Sequence, residues 1–231
     1  MRPLTDRIPK ALIPIAGRPF VDHQLAWLAG HGVTDVVLCI GYRGDAIRAH
    51  FAEDDRRRHG LAVRFVDEGD DLRGTAGALR LALDQGALDP SFLVTYGDSF
   101  LPVDFAAVHA AFAASGRPAL MTVFRNDRRW DRSNVIFDGR LVALYDKQRA
   151  TRPASDFHFI DYGLSALSRR VIADEIAPGG GPADLAALFH ALSVRGDLAG
   201  LEVGARFYEI GSPAGLEDFA KWLEQRLAPK A

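Results

Sequence analysis

The stretch Asp35-Val36-Val37-Leu38-Cys39-Ile40-Gly41-Tyr42-Arg43-Gly44 decides the fold. Its first six residues form a nearly continuous apolar run rich in Val and Ile, the pattern of a parallel strand buried on both faces. The glycines that follow turn the chain into a helix from about Asp45 to Phe51. Outward from this unit the same alternation repeats. Upstream, Phe20 to His31 reads as a helix, with Phe20, Leu25 and Leu28 at helical spacing and Gly32 as a stop. Downstream, Leu61 to Val66 is a strand, Gly74 to Leu83 a helix with an alanine-rich face, and Phe92 to Tyr96 a strand ending in Gly97-Asp98. Asp104 can cap a helix running to about Ala114, and Ala119 to Phe124 is the next strand. Such alternation predicts right-handed βαβ units on a mixed, mostly parallel sheet of the α/β class. Ligands in these sheets bind outside the carboxyl ends of the strands. The loops after Ile40, Val66 and Tyr96 are therefore where a site is expected.

The rhythm changes after Phe124. Val135-Ile136-Phe137, the turn Asp138-Gly139 and Leu141-Val142-Ala143-Leu144 predict a hairpin. Phe157 to Leu167 is a long strand, Gly179-Gly180-Gly181-Pro182 a loop, and Ala183 to Val194 a helix. Arg206 to Ile210 is a short strand, and Ser212 caps a closing helix with Leu216, Phe219, Leu223 and Leu227 along one face. No repeat or interdomain linker interrupts the chain, and only Arg149 to Ser155 reads as loose.

The bulk numbers suit one large domain of 231 residues, taken as 1–228. A net charge of −2 gives no electrostatic case for nucleic acid or a membrane surface. No apolar stretch approaches the roughly 20 residues that span a bilayer. The single cysteine, Cys39, excludes an intrachain disulfide and reads as a small core hydrophobe. A reducing, cytoplasmic location is expected, since the first residues carry no signal-peptide pattern.

Four places could carry chemistry. Asp98, at the end of an apolar strand and behind the permissive Gly97, offers a hard oxygen ligand suited to Mg²⁺; the plain alternative is a turn aspartate. Glu209 lies in Phe207-Tyr208-Glu209-Ile210-Gly211-Ser212, an awkward place for an unpaired charge. A second metal carboxylate would explain it, and so would a pair with Arg206. The run Leu72-Arg73-Gly74-Thr75-Ala76-Gly77 puts glycines and free N–H groups at a helix start, where a flat base or an anion can approach. Small residues also serve helix packing. Lys10 and Lys147 could each neutralise a phosphate as a point charge, or simply be solvated. The histidines are scattered, and no Ser/His/Asp order, Cys/His pair or zinc spacing emerges.

Taken together these pieces resemble the sugar-1-phosphate nucleotidyltransferases, the nucleoside-diphosphate-sugar pyrophosphorylases. The family signature is a strand, G-G-x-G-T-R-(L/M)-x-P-L-T, then P-K-P-(L/M)-(I/V)-P-(I/V). This chain has Met1-Arg2-Pro3-Leu4-Thr5 and Pro9-Lys10-Ala11-Leu12-Ile13-Pro14-Ile15, followed by Gly17-Arg18-Pro19-Phe20. Leu72 to Leu79 resembles the base-binding L-G-T-(A/G)-G-A-(L/I), with Arg73 as an extra residue. Gly97-Asp98 resembles the metal-binding G-D, Tyr145-Asp146-Lys147 the V-E-K segment, Asp161-Tyr162-Gly163 the N-(A/T)-G segment, and Glu209-Ile210-Gly211-Ser212 the W-x-D-(I/V)-G-T segment. Arg129-Trp130-Asp131-Arg132-Ser133-Asn134-Val135 points to the short branch that includes mannose- and heptose-1-phosphate guanylyltransferases.

The resemblance implies a Rossmann-like, three-layer nucleotide-diphospho-sugar transferase fold. Residues 1–124 would form the nucleotide-binding half and 125–228 the sugar-phosphate-binding half. It implies an Mg²⁺-dependent reaction of a nucleoside triphosphate with a sugar 1-phosphate, with guanylyl transfer to a hexose or heptose 1-phosphate favoured. Lys10, Asp98 and Lys147 would be catalytic, with Asp98 and Glu209 on the metal. Glu68, Gly74, Thr75, Gly77 and Gly97 would face the nucleotide; Asn134, Lys147, Asp161, Tyr162 and Gly163 would face the sugar phosphate. Aligning P-L-T puts Met1 at the (L/M) position, so the family's catalytic arginine and first strand would precede it. The resulting central gap favours a homo-oligomer. The alternative is a non-catalytic nucleotide- or sugar-phosphate-binding homologue. A glycosyltransferase would show Asp-x-Asp after a strand, and none stands there.

Overall fold

The structure, a computed structural model, describes residues 8–52, 57–58, 60–127 and 129–227. The Met1-Arg2-Pro3-Leu4-Thr5 half of the signature lies outside the described residues, as does the side chain of Leu227. The chain begins with a short ribbon, β1 (Pro14–Ile15) and β2 (Arg18–Pro19), and then α1 (Phe20–Gly30), β3 (Asp35–Ile40) and α2 (Gly44–Ala52). Next come β4 (Arg57–Arg58), β5 (Leu61–Asp67), α3 (Gly74–Asp84), β6 (Ser91–Thr95), β7 (Ser99–Phe100), α4 (Phe105–Ser115) and β8 (Ala119–Arg125). The second half holds β9 (Val135–Phe137), β10 (Val142–Tyr145), β11 (Phe159–Ser168), α5 (Arg169–Glu175), α6 (Leu185–Arg195), β12 (Leu198–Glu202), β13 (Tyr208–Glu209) and α7 (Pro213–Leu227).

Local chemistry sets the helix limits. Asp104 caps α4 by accepting from the Ala107 amide at 3.0 Å, and Gly116 ends it in the left-handed region at φ 63°. Asp184 caps α6 in the same way through Ala186, and Gly196 closes it at φ 74°.

The main sheet runs β10-β9-β11-β8-β12, with β6 on the other part of β11. Strand β11 is antiparallel to both β6 and β8, and β12 is parallel to β8. So β6, β8 and β12 point one way, with β11 reversed among them. Strand alternation divides β8 between two cores. Ala119, Met121 and Val123 face one cluster with residues of α3, α5 and α6; Leu120 faces another with residues of α4. Helices thus cover both faces, which is the three-layer α/β arrangement expected from the sequence.

A separate sheet runs β3-β5-β4, with β3 parallel to β5. Among the described residues β3 pairs only with β5, and β6 only with β11. Yet Val37 of β3 and Phe92 of β6 pack on the same cluster of Val66, Ala82 and Leu88. On the other face Leu28 and Val33 pack against both strands' neighbourhoods. The two edges are therefore bracketed by shared helices without a ladder between them. This corrects the expectation for β3: only Ile40 is buried, Val36 to Leu38 are half-buried, and Cys39 is exposed rather than core. An unpaired edge leaves the side of the strand open, whatever covers its faces. Cys39 still sits among enough protein that desolvation, followed by the charge of Glu68, pushes its thiol up to about 11.

Candidate active site

The site is built first at the carboxyl end of β6. Gln24 of α1 donates to the carbonyls of Ser99 at 2.7 Å and Tyr96 at 3.3 Å, bracing the turn that carries Asp98. Beyond the turn, β7 pairs antiparallel with β13, which sets Glu209 opposite Ser99, and the Ile210 amide donates to the Asp98 carbonyl at 2.9 Å. This two-residue ribbon brings together carboxylates 111 positions apart. Lys10, from a single 3₁₀ turn, places Nζ 3.1 Å from Asp98 Oδ2. Gly97 beside them is exposed, with no heavy atom within 4 Å of where a Cβ would stand. A ligand can therefore approach this backbone closely.

Electrostatics agree with the convergence. Glu209 is open to solvent on one side and walled by protein on the other. Its acid is raised first by that desolvation, then by the charges of Asp98, Asp131 and Asp161, with Lys10 opposing. Arg206 is not its partner: it donates to Asp218 at 2.6 Å and lies 3.6 Å from the centre of the Trp130 ring. The structural explanation of Glu209 through Arg206 therefore falls away. A cavity of about 280 Å³, lined by Trp130, Asp131, Arg132, Ser133, Arg149 and Ala154, opens on the Asp131 side.

The opposite wall comes from β10, β11 and α6. Lys147 follows β10 in a loop built by Asp146, whose carboxylate accepts from the amides of Gln148, Arg149 and Thr151 and from the Thr151 hydroxyl. Burial alone would raise Asp146, but these bonds outweigh it and hold the acid below its usual range. Asn134 Oδ1 accepts from the Asp161 amide at 3.0 Å, tying β9 to β11. Asp161 accepts from the Gly163 amide at 2.9 Å, and Gly163, at φ 97°, holds a backbone that side-chain-bearing residues rarely adopt. Desolvation pushes Asp161 up to about 6, against the Gly163 amide and the Lys147 charge.

Two expectations, one on each side of the site, are corrected. Tyr162 does not shape a sugar pocket: it is 1% exposed and packs with Phe207 and Leu164 in the core. Alternation along β11 turns it away from Asp161, and its hydroxyl finds no hydrogen-bond partner among the described residues. At the start of α3 two of the amides are not free. Those of Ala76 and Gly77 donate to the Ala183 carbonyl at 2.9 and 3.2 Å, and Gly77 is buried beneath it. The glycine-rich loop at 179–181 lets residues 183–185 fold onto the helix start, which local sequence could not reveal. Thr75 Oγ1 donates to Asp184 at 2.9 Å and accepts from the Leu185 amide at 2.8 Å. Glu68 accepts from the Arg73 amide at 2.6 Å and so closes the loop before α3. Gly74 and Thr75 remain exposed.

Asp184 was missed by sequence reading, which places it inside a helix from about Ala183 to Val194 and gives it no role. Its carboxylate meets Thr75, the Ala186 amide and, at 3.8 Å, Lys147 Nζ. The Ala186 amide holds its acid below the usual range, helped by the Thr75 hydroxyl and the Lys147 charge and opposed by desolvation. Gln24 was missed because it acts on a backbone that only the fold brings near, and Asp146 was overlooked although its partners are local in sequence.

The architecture is a nucleotide-diphospho-sugar transferase fold, shared with solved structures of low identity. HddC from Yersinia pseudotuberculosis, complexed with GMP-PN, superposes with a TM-score of 0.74 at 21% identity, over 94% of this chain and 90% of that one. The inositol-1-phosphate CTP transferase from T. maritima gives 0.76 at 19%, over 100% and 92%. The chain belongs to the MobA-like NTP transferase domain family, whose profile matches residues 4–175. Mannose-1-phosphate guanyltransferase of Saccharomyces cerevisiae is 36% identical over 175 residues, covering 74% of this chain and 47% of that protein. Glucose-1-phosphate cytidylyltransferase of Salmonella typhimurium is 29% identical over 183 residues, covering 71% and 68%. The chain spans between a third and a half of the mannose-1-phosphate guanyltransferases it matches.

Proposed function

We propose that this protein transfers a nucleotidyl group from a nucleoside triphosphate to a sugar 1-phosphate, releasing pyrophosphate and an NDP-sugar. The observation that carries the reading is the convergence of Lys10, Asp98 and Glu209 at the carboxyl end of β6. A phosphate oxygen of the acceptor would attack the α-phosphorus in line, forming one P–O bond as the bond to pyrophosphate breaks. Such transfer depends on positioning and charge neutralisation more than on covalent help. Lys10, resting on Asp98, would turn to the nucleotide phosphates. Lys147 would hold the acceptor phosphate, and Asp161 would accept from sugar hydroxyls. Glu68, Gly74 and Thr75 would border the base, and Asn134 and Gly163 would set the shape of the sugar side.

Asp98 and Glu209 would suit Mg²⁺, being hard oxygen donors close enough that the charge of Asp98 raises the acid of Glu209. Among the described residues no group of three or more His, Cys, Asp or Glu side chains could hold a metal ion. Mg²⁺ is usually bound by one or two carboxylates together with substrate phosphates. When bound, Mg²⁺ would neutralise phosphate charge during transfer.

Guanylyl transfer to a hexose or heptose 1-phosphate is the favoured form, supported by the 36% identity to the yeast mannose-1-phosphate guanyltransferase. Residues 1–228 would act as one domain, 1–124 holding the nucleotide and 125–228 the sugar phosphate. Strand β11 supports this, since it pairs with β6 of one part and β9 of the other. No helix of the described residues is long and apolar enough to cross a membrane. We place the reaction in the cytoplasm and the protein in a homo-oligomer. The test supplies GTP, UTP, CTP or dTTP with mannose, glucose or heptose 1-phosphate and Mg²⁺ and measures pyrophosphate. GTP should give the fastest release; no release with any pair would overturn the reading.

A further inference from the structure

We propose that Asp184 is a positioning residue that fixes Lys147 over the acceptor side of the site and ties it to the nucleotide-side loop. The inference rests on the function proposed above and adds a residue to it. Lys147 ends a flexible four-carbon stem whose ammonium carries no preferred geometry of its own. It projects from a rigid loop, because Asp146 binds three amides and a hydroxyl around it, but that loop fixes only the backbone. The ammonium itself has Asp184 Oδ2 at 3.8 Å. The charge of Asp161, on the strand behind it, also acts with Lys147.

Asp184 is suited to the task because its own side chain is immobilised. One oxygen accepts from the Thr75 hydroxyl at 2.9 Å and the Ala186 amide at 2.9 Å, which leaves the other facing the lysine. The backbone on either side is fixed as well. The Ala183 amide donates to the Arg73 carbonyl at 2.8 Å, the Ala183 carbonyl accepts from Ala76 and Gly77, and the Leu185 amide donates to Thr75. A cap alone would need only the Ala186 contact. The further contacts form a chain from Thr75 through one carboxylate to Lys147, joining positions 72 residues apart.

Both members of the Lys147–Asp184 pair are more than half exposed, so the link contributes little to stability. Its effect should appear in acceptor binding. Asp184→Asn is the informative change, since the amide oxygen can still accept from Thr75 and Ala186 while the charge facing Lys147 is lost. In the full chain it should raise KM for the sugar 1-phosphate about three- to ten-fold, leaving KM for the nucleotide and the melting temperature near wild type. A second readout is independent of turnover. Lysines are ¹³C-dimethylated, the Lys147 signal is assigned with Lys147→Arg, and its shift is followed as pH crosses the titration of Asp184. That shift should be present in wild type and lost in Asp184→Asn. If acceptor KM is unchanged or falls, and the Lys147 signal is the same in both proteins, Asp184 is only a helix cap and the proposal is wrong. A wild-type chain that releases no pyrophosphate overturns the nucleotidyl-transfer reading, while the NMR arm still decides the contact.

Discussion

Gly74→Ala is the substitution whose effect the structure specifies most fully. Gly74 has φ 72°, and a Cβ there would lie 2.5 Å from the Ala183 carbonyl oxygen, 3.1 Å from its carbon and 3.3 Å from its nitrogen. All three atoms are backbone, and that carbonyl is held by the amides of Ala76 and Gly77. The clash cannot be relieved by rotating a side chain. Left-handed backbone costs an alanine about 1–2 kcal/mol, and overpacking costs about 1–3 kcal/mol. The expected loss is therefore about 2–5 kcal/mol. At roughly 2–4 °C per kcal/mol for a chain of this size, the melting temperature should fall by about 10 °C. Moving residues 183–185 also moves Asp184 away from Thr75, so acceptor KM should rise as stability falls. Thermal melts followed by circular dichroism would read the first effect, with Gly181→Ala as the control. Gly181 has nothing within 4 Å of the added Cβ and no left-handed φ, so its melting temperature should stay within about 2 °C of wild type. A Gly74→Ala protein that melts with the control would refute the packing described for α3 and the loop before α6.

Two further outcomes follow from buried groups. Asp161 has its acid raised from 3.8 to about 6 in the folded chain. A raised carboxyl prefers its protonated form when folded, so its contribution is fully present below the unfolded value and lost as pH rises through about 6. Asp161→Asn should match wild type near pH 3.5 and become more stable by at most about 3 kcal/mol above pH 6; a difference constant across pH contradicts that origin. Tyr162→Phe removes a buried hydroxyl that has no partner among the described residues. Stability should hold or improve by about 1–2 kcal/mol, and acceptor KM should not move; a large rise in KM would put Tyr162 back in the sugar pocket.

Much of the fold is local enough to read in sequence. The run at Asp35–Ile40, the Asp104 cap and the hairpin around Asp138-Gly139 announce themselves by periodicity, capping chemistry and turn residues. Helix α5 and strand β12 were not anticipated. Their residues, Arg169–Glu175 and Leu198–Glu202, carry a weak periodic signal and are fixed by tertiary packing, with β12 laid along β8. Cys39 shows the limit of an apolar run: it specifies a strand with covered faces but not whether the strand's edge is paired. At the site, Asp98, Glu209, Lys10 and Lys147 were legible because each combines a charged residue with a strand end or an apolar setting. Asp184 and Gln24 were not, because Thr75, Lys147 and the carbonyls of Tyr96 and Ser99 reach them only through the fold; Asp146 was overlooked although its partners are local. The α3 loop was legible in composition but not in use, since Ala183 occupies amides that would otherwise have faced a ligand.

The central claim is that Asp98, set beside Glu209 by the β7–β13 ribbon, serves transfer onto a sugar 1-phosphate. The measurement that meets it most directly is pyrophosphate release from GTP, mannose 1-phosphate and Mg²⁺ by the wild-type chain and by Asp98→Ala. Among the described residues Asp98 is paired with Lys10, at a partly exposed contact, so its loss should leave the melting temperature within about 2 °C. The wild type should release pyrophosphate, with a loss on the order of a hundredfold or more in the variant. Equal rates in the two proteins, with the fold intact, would contradict the claim.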